Sequence, residues 1–142
     1  MINFLNKHLK RLHFSKPDSS DIVILDETNS NLIQGVIPDE LTVSIYKMRP
    51  MEFYITPRIV LNFLRNLKDL KFTNSSESNK SASYRIFFQL LCIYIKADFI
   101  SRNLKAIITS IDNCTKFAWL SENFYQAPCI AIQNGFRCLV IF

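Results

Sequence analysis

A strand–helix–strand pattern between residues 106 and 133 limits the fold of this 142-residue chain more than any other feature. Residues 106–111 and 128–133 are short apolar runs, and Phe117, Leu120 and Phe124 recur between them at helical spacing. Over so short a span, the connection between two such strands must be a right-handed parallel crossover. The segment therefore predicts a parallel sheet with at least one helix packed against it.

Two further strands are predicted earlier in the chain. Residues 21–27, DIVILDE, have the composition of a strand that is buried on both faces, and residues 41–48 alternate in polarity. A short helix or turn is expected between them. These strands extend the parallel sheet predicted at the carboxyl end.

A clear amphipathic helix is predicted from Thr56, a good N-cap residue, and Pro57, which suits the first helical position. Its expected core-facing stripe is Val60, Phe63, Leu64 and Leu67, opposite Arg58, Asn62, Arg65 and Lys68. The polar segment 72–83 connects it to a second helix, residues 84–100. That helix is apolar nearly all round, so we expect it to be buried between the sheet and another layer.

The predicted order of elements is β-α-β-α-α-β-α-β. This order indicates one α/β domain with an open, mostly parallel Rossmann-like sheet of about four strands and helices on both faces. We assign residues 1–20 to a basic lead-in and residues 21–142 to the Rossmann-like domain.

Charge and composition exclude several classes of protein. The net charge is +5, and much of the excess lies in the lead-in, but no arginine-rich stripe with interleaved aromatics follows it, so nucleic acid is not an expected partner. The lead-in either lies on a membrane surface or packs on the domain edge. The most apolar run, residues 86–95, is too short to span a bilayer. We expect a soluble cytoplasmic protein, free or at the inner face of the membrane, with at most peripheral membrane contact.

The four cysteines stand far apart, without C-x-x-C spacing: Cys92, Cys114, Cys129 and Cys138. This spacing argues against zinc and against a disulfide framework, and it suits a reducing cytoplasm. No Gly-rich nucleotide loop is present either. We expect no metal ion and no cofactor.

Polar residues follow each predicted strand at its carboxyl end, and there they form a candidate site: Asp26 and Glu27, Lys47 and Arg49, Asp112 and Asn113, Gln133 and Asn134. Ligands of open parallel sheets bind outside these ends, where the strand order reverses. If the order of the predicted strands is 2-1-3-4, the reversal falls between the first and third strands. Asp26 and Glu27 would then lie close to Asp112 and Asn113.

Such a site could bind a hydroxyl-rich ligand. A carboxylate can act as general base toward a sugar hydroxyl, and Asn113 and Asn134 offer both donors and acceptors. A structural explanation is also open. Asp112 or Asn113 would cap the following helix, and Asn134 with Gly135 would form a tight turn.

The segments DIVILDE, AIITSIDN followed by FAWLSENF, and CIAIQNGFR resemble the N-terminal part of bacterial surface-carbohydrate (polysaccharide) biosynthesis proteins. These are glycosyltransferase-like enzymes of the two-Rossmann-domain (GT-B) type. The resemblance covers about residues 21–137 and is concentrated at the carboxyl end. It implies a sugar-acceptor site with Asp112 or Glu27 as base, Arg137 near an anionic group, and these further binding residues: Asp26, Asn113, Gln133, Asn134 and Gly135.

Such enzymes place the sugar acceptor on the first domain and the nucleotide-activated donor on the second. The chain stops five residues after Arg137, so the resemblance implies an N-terminal domain that is incomplete or lacks its second domain. The donor would then need a second domain or subunit. We expect the chain to be inactive alone, and whether it counts as an enzyme stays open.

Two alternatives remain. One is a non-catalytic α/β interaction module of flavodoxin-like or receiver-like shape, in which Asp26 and Glu27 bind a metal or a partner. A receiver-like module is expected to have a lysine after one of its later strands. This sequence has no lysine at the expected place, which weakens this alternative. The other is an inert truncated remnant with an exposed apolar face, which predicts poor solubility.

Overall fold

The computed structural model describes residues 11–25, 29–48, 51–70, 82–110 and 114–132. Within these ranges the protein has the parallel, Rossmann-like α/β architecture that the sequence predicts. The strands are β1 (Leu12–His13), β2 (Ile22–Ile24), β3 (Val43–Ile45), β4 (Phe53–Tyr54), β5 (Ala106–Thr109) and β6 (Cys129–Ala131). The helices are α1 (Ser30–Gln34), α2 (Pro57–Asn66), a 3-10 helix (Leu67–Asp69), α3 (Ala82–Arg102) and α4 (Thr115–Asn123).

The main sheet has four parallel strands in the order β3-β2-β5-β6. Among the predicted strands this is the order 2-1-3-4, on which the candidate site depends. Ile24 pairs with Ile45 on one side and Ile108 on the other, and Ile108 pairs with Ile130. Partners in a parallel ladder share a face, so a row of isoleucines crosses the sheet.

Helices cover both faces of this sheet. Successive strand residues point to opposite sides, so apolar strand residues contribute to a core on each face. Val23 and Ile107 pack into the larger core with Phe99 of α3 and Leu120 of α4. On the opposite face, Ile33 of α1 packs in a smaller cluster with Ile22, Ile24 and Ile108. The predicted arrangement of helices on both faces is confirmed.

One carboxylate joins the amino ends of three neighbouring strands. Asp21, next to β2, accepts hydrogen bonds at Oδ2 from the backbone N–H and the hydroxyl of Thr42, both at 3.0 Å. Its Oδ1 lies 2.8 Å from Lys105 Nζ. Thr42 and Lys105 directly precede β3 and β5, so this contact helps to fix the register of the sheet.

A second, two-stranded parallel sheet was not predicted. Leu12 pairs with Phe53 and His13 with Tyr54. A strand of two residues is too short to show an alternation of apolar and polar residues in the sequence. The pairing of β1 with β4 depends on contacts between distant parts of the chain, so it could not be predicted from the sequence. Residues 11–20 of the lead-in contact the domain, since Pro17 and Ser20 are buried there. Residues 1–10 lie outside the described ranges.

Helix α2 begins where the sequence predicts. Thr56 is its N-cap, with its hydroxyl oxygen accepting a 3.3 Å hydrogen bond from the backbone N–H of Ile59, and Pro57 is the first helical residue. These signals are local, so they can be read from the sequence.

The predicted orientation of α2 is wrong. Ile59 and Asn62 are buried, whereas Val60, Leu61 and Leu64 are 44%, 47% and 57% exposed. A buried amide is tolerated when it is hydrogen-bonded, and the side chain of Asn62 is bonded to α3. Part of the expected core stripe therefore faces outward.

Helix α3 is buried over its carboxyl-terminal half alone. Cys92, Ile95 and Phe99 are completely buried, but Tyr84 and Phe87 in the first half are 50% and 66% exposed. The expectation that the whole helix is covered is wrong. In the described part of the chain, neither α3 nor another helix has the length and apolar character needed to cross a membrane.

Candidate functional site

The carboxyl ends of the main strands form one edge of the sheet, which we call the strand-end edge. Tyr46, after β3, donates its backbone N–H to the carbonyl of Ile24 at 2.8 Å. Leu25 donates to Ile108 at 2.8 Å, and Ile132 donates to Thr109 at 2.7 Å. The strands are therefore hydrogen-bonded to one another up to the residues where the predicted polar groups begin.

The order reverses along this edge between β2 and β5, because β3 lies on the far side of β2 and β6 on the far side of β5. Helices that connect strands on either side of such a point leave on opposite faces and open a crevice. The described strands thus have the order on which the predicted crevice depends.

Among the predicted site residues, Lys47 lies within the described ranges, after β3, and is exposed. The others follow the strand ends in the sequence and lie outside the described residues: Asp26, Glu27, Arg49, Asp112, Asn113, Gln133, Asn134, Gly135 and Arg137. The base role of Asp112 or Glu27 and the binding roles of the others stay predictions. The alternative tight turn at Asn134 and Gly135 also lies outside the described ranges.

One structural explanation for Asp112 and Asn113 is corrected by α4. The helix begins at Thr115, and its N-cap residue is Cys114, whose side chain makes no capping hydrogen bond. The prediction that Asp112 or Asn113 occupies the N-cap position is therefore wrong. Aspartate and asparagine are favoured N-cap residues, but Asp112 and Asn113 precede the N-cap position in the sequence.

Two polar residues missed by the sequence reasoning lie beside the reversal point. The side-chain amide of Asn29, just before α1, donates a 3.3 Å hydrogen bond to the hydroxyl of Ser110, which follows β5. Ser110 is buried and Asn29 is half-buried. The contact joins the segments that follow the two central strands, and both side chains can hydrogen-bond hydroxyl groups. Its signal in the sequence was weak, since serine and asparagine are common in loops.

A second polar cluster lies at the carboxyl end of α3. Asp98 is completely buried and accepts hydrogen bonds from Arg102 Nε and Nη2, each at 3.0 Å. The guanidinium lies 5.7 Å from the ring centre of Tyr46 and 5.3 Å from that of Tyr54. An arginine held between aromatic rings and a carboxylate is well compensated for its burial.

The tyrosine of this cluster is poorly suited to acid–base chemistry near neutral pH. Burial raises the pKa of Tyr46 well above its usual value, and the charge of Asp98 raises it further. Burial also raises the pKa of Asp98, although the hydrogen bonds from Arg102 act in the opposite direction. The phenol of Tyr46 thus stays protonated, and its hydroxyl makes no hydrogen bond within the described residues.

A cavity of about 110 Å³ adjoins the cluster and is lined partly by Asp18, Glu52, Tyr54 and Arg102. It has room for a few water molecules but not for a sugar ring with its substituents. We interpret the cluster as structural. Asp98 and Arg102 stand four residues apart in α3, and this spacing was the signal that could have revealed them as a pair.

Within the described ranges, no three histidine, cysteine or acidic side chains are grouped to hold a metal ion. His13 stacks on Tyr54 with ring centres 4.9 Å apart, and its Nε2 lies 3.8 Å from a carboxylate oxygen of Glu52. Cys92, Cys114 and Cys129 are free thiols.

Comparisons of the chain with protein-family models, curated proteins and solved structures found no match. The resemblance to surface-carbohydrate biosynthesis enzymes thus rests on the quoted segments alone. The function has to be argued from the geometry of the strand-end edge and the chemistry of the residues that follow it.

Proposed function

We propose that the chain is the acceptor-side domain of a glycosyltransferase-like enzyme of surface polysaccharide biosynthesis, inactive without a donor-binding domain or subunit. The main support is the strand order β3-β2-β5-β6, which places the reversal between β2 and β5. In the sequence, Asp26 and Glu27 follow the first of these strands, and Asp112 and Asn113 follow the second.

The residue types at these positions suit the recognition of a sugar. In the proposed reaction, Asp112 or Glu27 removes the proton of an acceptor hydroxyl as that hydroxyl attacks the anomeric carbon of the donor. The bond from this carbon to the phosphate oxygen of the nucleotide breaks at the same time, and the nucleotide leaves on the second domain or subunit. Amides at Asn113, Gln133 and Asn134 orient the hydroxyl groups by donating and accepting hydrogen bonds. The pair of Asn29 and Ser110 adds two further polar groups at the reversal point.

In this proposal the chain contacts an anionic group and works with a second domain or subunit. Arg137 pairs with an anionic group through two charge-assisted hydrogen bonds. A second domain or subunit holds the nucleotide-activated donor, and no cofactor, metal ion or nucleic acid takes part. The chain acts in the cytoplasm at the inner face of the membrane.

Binding can be tested by saturation-transfer NMR with methyl glycosides of common hexoses and N-acetylhexosamines. Wild type should give saturation transfer, and the double variant Asn113→Ala with Gln133→Ala should lose it. Gln126→Ala is the matched control, because Gln126 is exposed and precedes β6, at the opposite end of the strand. Equal signals from wild type and the double variant would contradict the proposed site.

Catalysis needs a separate assay. The purified chain should transfer no sugar from a panel of radiolabelled nucleotide sugars to these glycosides, because the donor site is assigned to another domain. Reproducible turnover by the purified chain would show that the assignment to the acceptor side alone is wrong.

The metal-binding alternative is distinguished by a magnesium titration followed by amide NMR. Under the proposal, Mg²⁺ leaves the signals of Asp26 and Asp112 unchanged. Saturable shifts of both signals would favour an interaction module with a metal at the strand-end edge.

A further inference from the structure

The outer side of α2 and the first half of α3 form a surface that we call the α2–α3 face. On α2, Val60, Leu61 and Leu64 are between 44% and 57% exposed, and on α3 Tyr84 and Phe87 are 50% and 66% exposed. Single exposed apolar side chains are normal, but contiguous sets mark sites of interaction. The inward position of Asn62 increases this effect, because it turns apolar residues of α2 outward.

The apolar surface continues into a groove of about 400 Å³ between α2, α3 and the small sheet. Phe53, Ile59, Phe63, Leu90 and Tyr94 are among its lining residues. Val60 and Phe87 line the groove as well and are also exposed at the surface. The face therefore combines protruding apolar side chains with an apolar recess beside them.

The charge of this face is positive. Arg58 and Arg65 are exposed and stand seven residues apart, so they share one flank of α2, next to Leu61. The sequence has no acidic residue between positions 53 and 68 or between positions 82 and 97. An apolar stripe with a basic flank is the pattern of helices that lie in the interface of anionic membranes.

We propose that the α2–α3 face docks on an anionic lipid surface. Val60, Leu61, Leu64 and Phe87 insert at the boundary between headgroups and acyl chains, and the basic flank contacts lipid phosphates. A symmetric contact with a second copy would bring two such basic flanks into one interface, and like charges there are unfavourable. The proposal does not depend on sugar binding at the strand-end edge.

Co-sedimentation with lipid vesicles tests this. The chain should bind phosphatidylcholine vesicles that contain about 30% phosphatidylglycerol at least tenfold more tightly than pure phosphatidylcholine vesicles. Raising the salt to about 0.5 M should weaken the binding, because it screens the arginines. Absence of binding to the anionic vesicles would overturn the proposal.

Paired variants assign the binding to this face. Leu61→Ser with Leu64→Ser should lower the partition coefficient about tenfold or more, and Arg58→Gln with Arg65→Gln should lower it to a similar extent. The matched apolar control is Leu32→Ser with Val36→Ser, at positions that are 74% and 77% exposed in and after α1, and it should bind like wild type. Since the substituted side chains are exposed, circular dichroism should show native folding for each variant.

Two further results would overturn the proposal. One is loss of binding on Leu5→Ser with Leu9→Ser, in the lead-in, but not on substitution of Leu61 and Leu64. The other is a dimer in sedimentation velocity that the Leu61 and Leu64 substitutions convert to monomer while no vesicle binding is seen. That second result would assign the face to contact between copies of the chain.

Discussion

The side-chain amide of Asn62 in α2 donates a hydrogen bond to the hydroxyl of Ser101 in α3 over 3.2 Å, and both side chains are buried. The hydroxyl in turn donates to the carbonyl of Ala97 at 2.9 Å. This polar contact fixes the side of α2 that faces the protein. It therefore also determines which residues of α2 face outward.

We expect Asn62→Ala to lower the free energy of unfolding by about 1–3 kcal/mol, because a buried hydrogen bond and packing volume are lost together. In a double-mutant cycle with Ser101→Ala, the coupling should be about 0.5–1.5 kcal/mol. Urea denaturation of wild type, both single variants and the double variant measures it. Additive effects would mean that the two side chains contribute independently.

Sequence and structure agree where the signals are local and differ where they are not. Thr56 and Pro57 predict the start of α2 correctly, but the partner of Asn62 lies on α3, far away in the sequence. The burial of Asn62 therefore could not be read from the helical period. The pairing of Leu12 with Phe53 was missed for the same reason.

The candidate site shows a similar division. The strand order followed from apolar runs such as residues 106–111 and from the handedness of short crossovers. The N-cap at Cys114 did not follow, because cysteine is a poor capping residue and the polar pair before it is a better one. Likewise, the burial of Asp98 and Arg102 did not follow, because a spacing of four residues indicates that the two can pair but not that the pair is buried.

The ion pair of Asp98 and Arg102 provides a second prediction. Arg102→Met leaves a buried carboxylate without its partner and should cost about 3–5 kcal/mol at neutral pH. Burial raises the pKa of Asp98, and loss of the arginine should raise it further. A raised pKa favours the folded state below the unfolded value of 3.8, and this contribution is lost as pH rises through the folded pKa.

The penalty of Arg102→Met should therefore shrink as the pH falls and Asp98 becomes protonated in the folded protein. Urea denaturation of wild type and the variant, at neutral pH and near pH 4, measures the difference. Adding Asp98→Asn to Arg102→Met is the control, because it removes the buried charge and should recover part of the stability. A penalty that is independent of pH would show that packing of the arginine, and not its charge, is responsible.

A third prediction concerns Asp21, which joins three strands at their amino ends. The hydrogen bond from Lys105, followed by those from Thr42, lowers the pKa of Asp21 from 3.8 to about 2. A lowered pKa stabilises the folded state above pH 3.8, and this contribution is lost as the pH falls toward about 2. Asp21→Asn should therefore be less stable than wild type above about pH 4, and the difference should narrow below it.

Thermal unfolding between pH 7 and pH 2 measures this for wild type and Asp21→Asn. The control is Asp39→Asn, which removes an exposed carboxylate before β3. Its melting temperature should follow that of wild type across the range. If both variants behave alike, the contacts of Asp21 with Thr42 and Lys105 do not contribute to stability.

The last prediction concerns Cys92, which is completely buried in α3. Burial raises the pKa of its thiol to about 12, so about one molecule in ten thousand carries the reactive thiolate at pH 8. In a variant with Cys114, Cys129 and Cys138 changed to serine, Ellman's reagent should label Cys92 only as fast as the protein opens, and mild urea should accelerate the reaction.

The control is Cys92→Ser with Cys138→Ser, which keeps the partly exposed Cys114 and Cys129 and should be labelled faster. Fast labelling of Cys92 without urea, at a rate proportional to reagent concentration, would mean that the carboxyl-terminal half of α3 is open to solvent in the native protein.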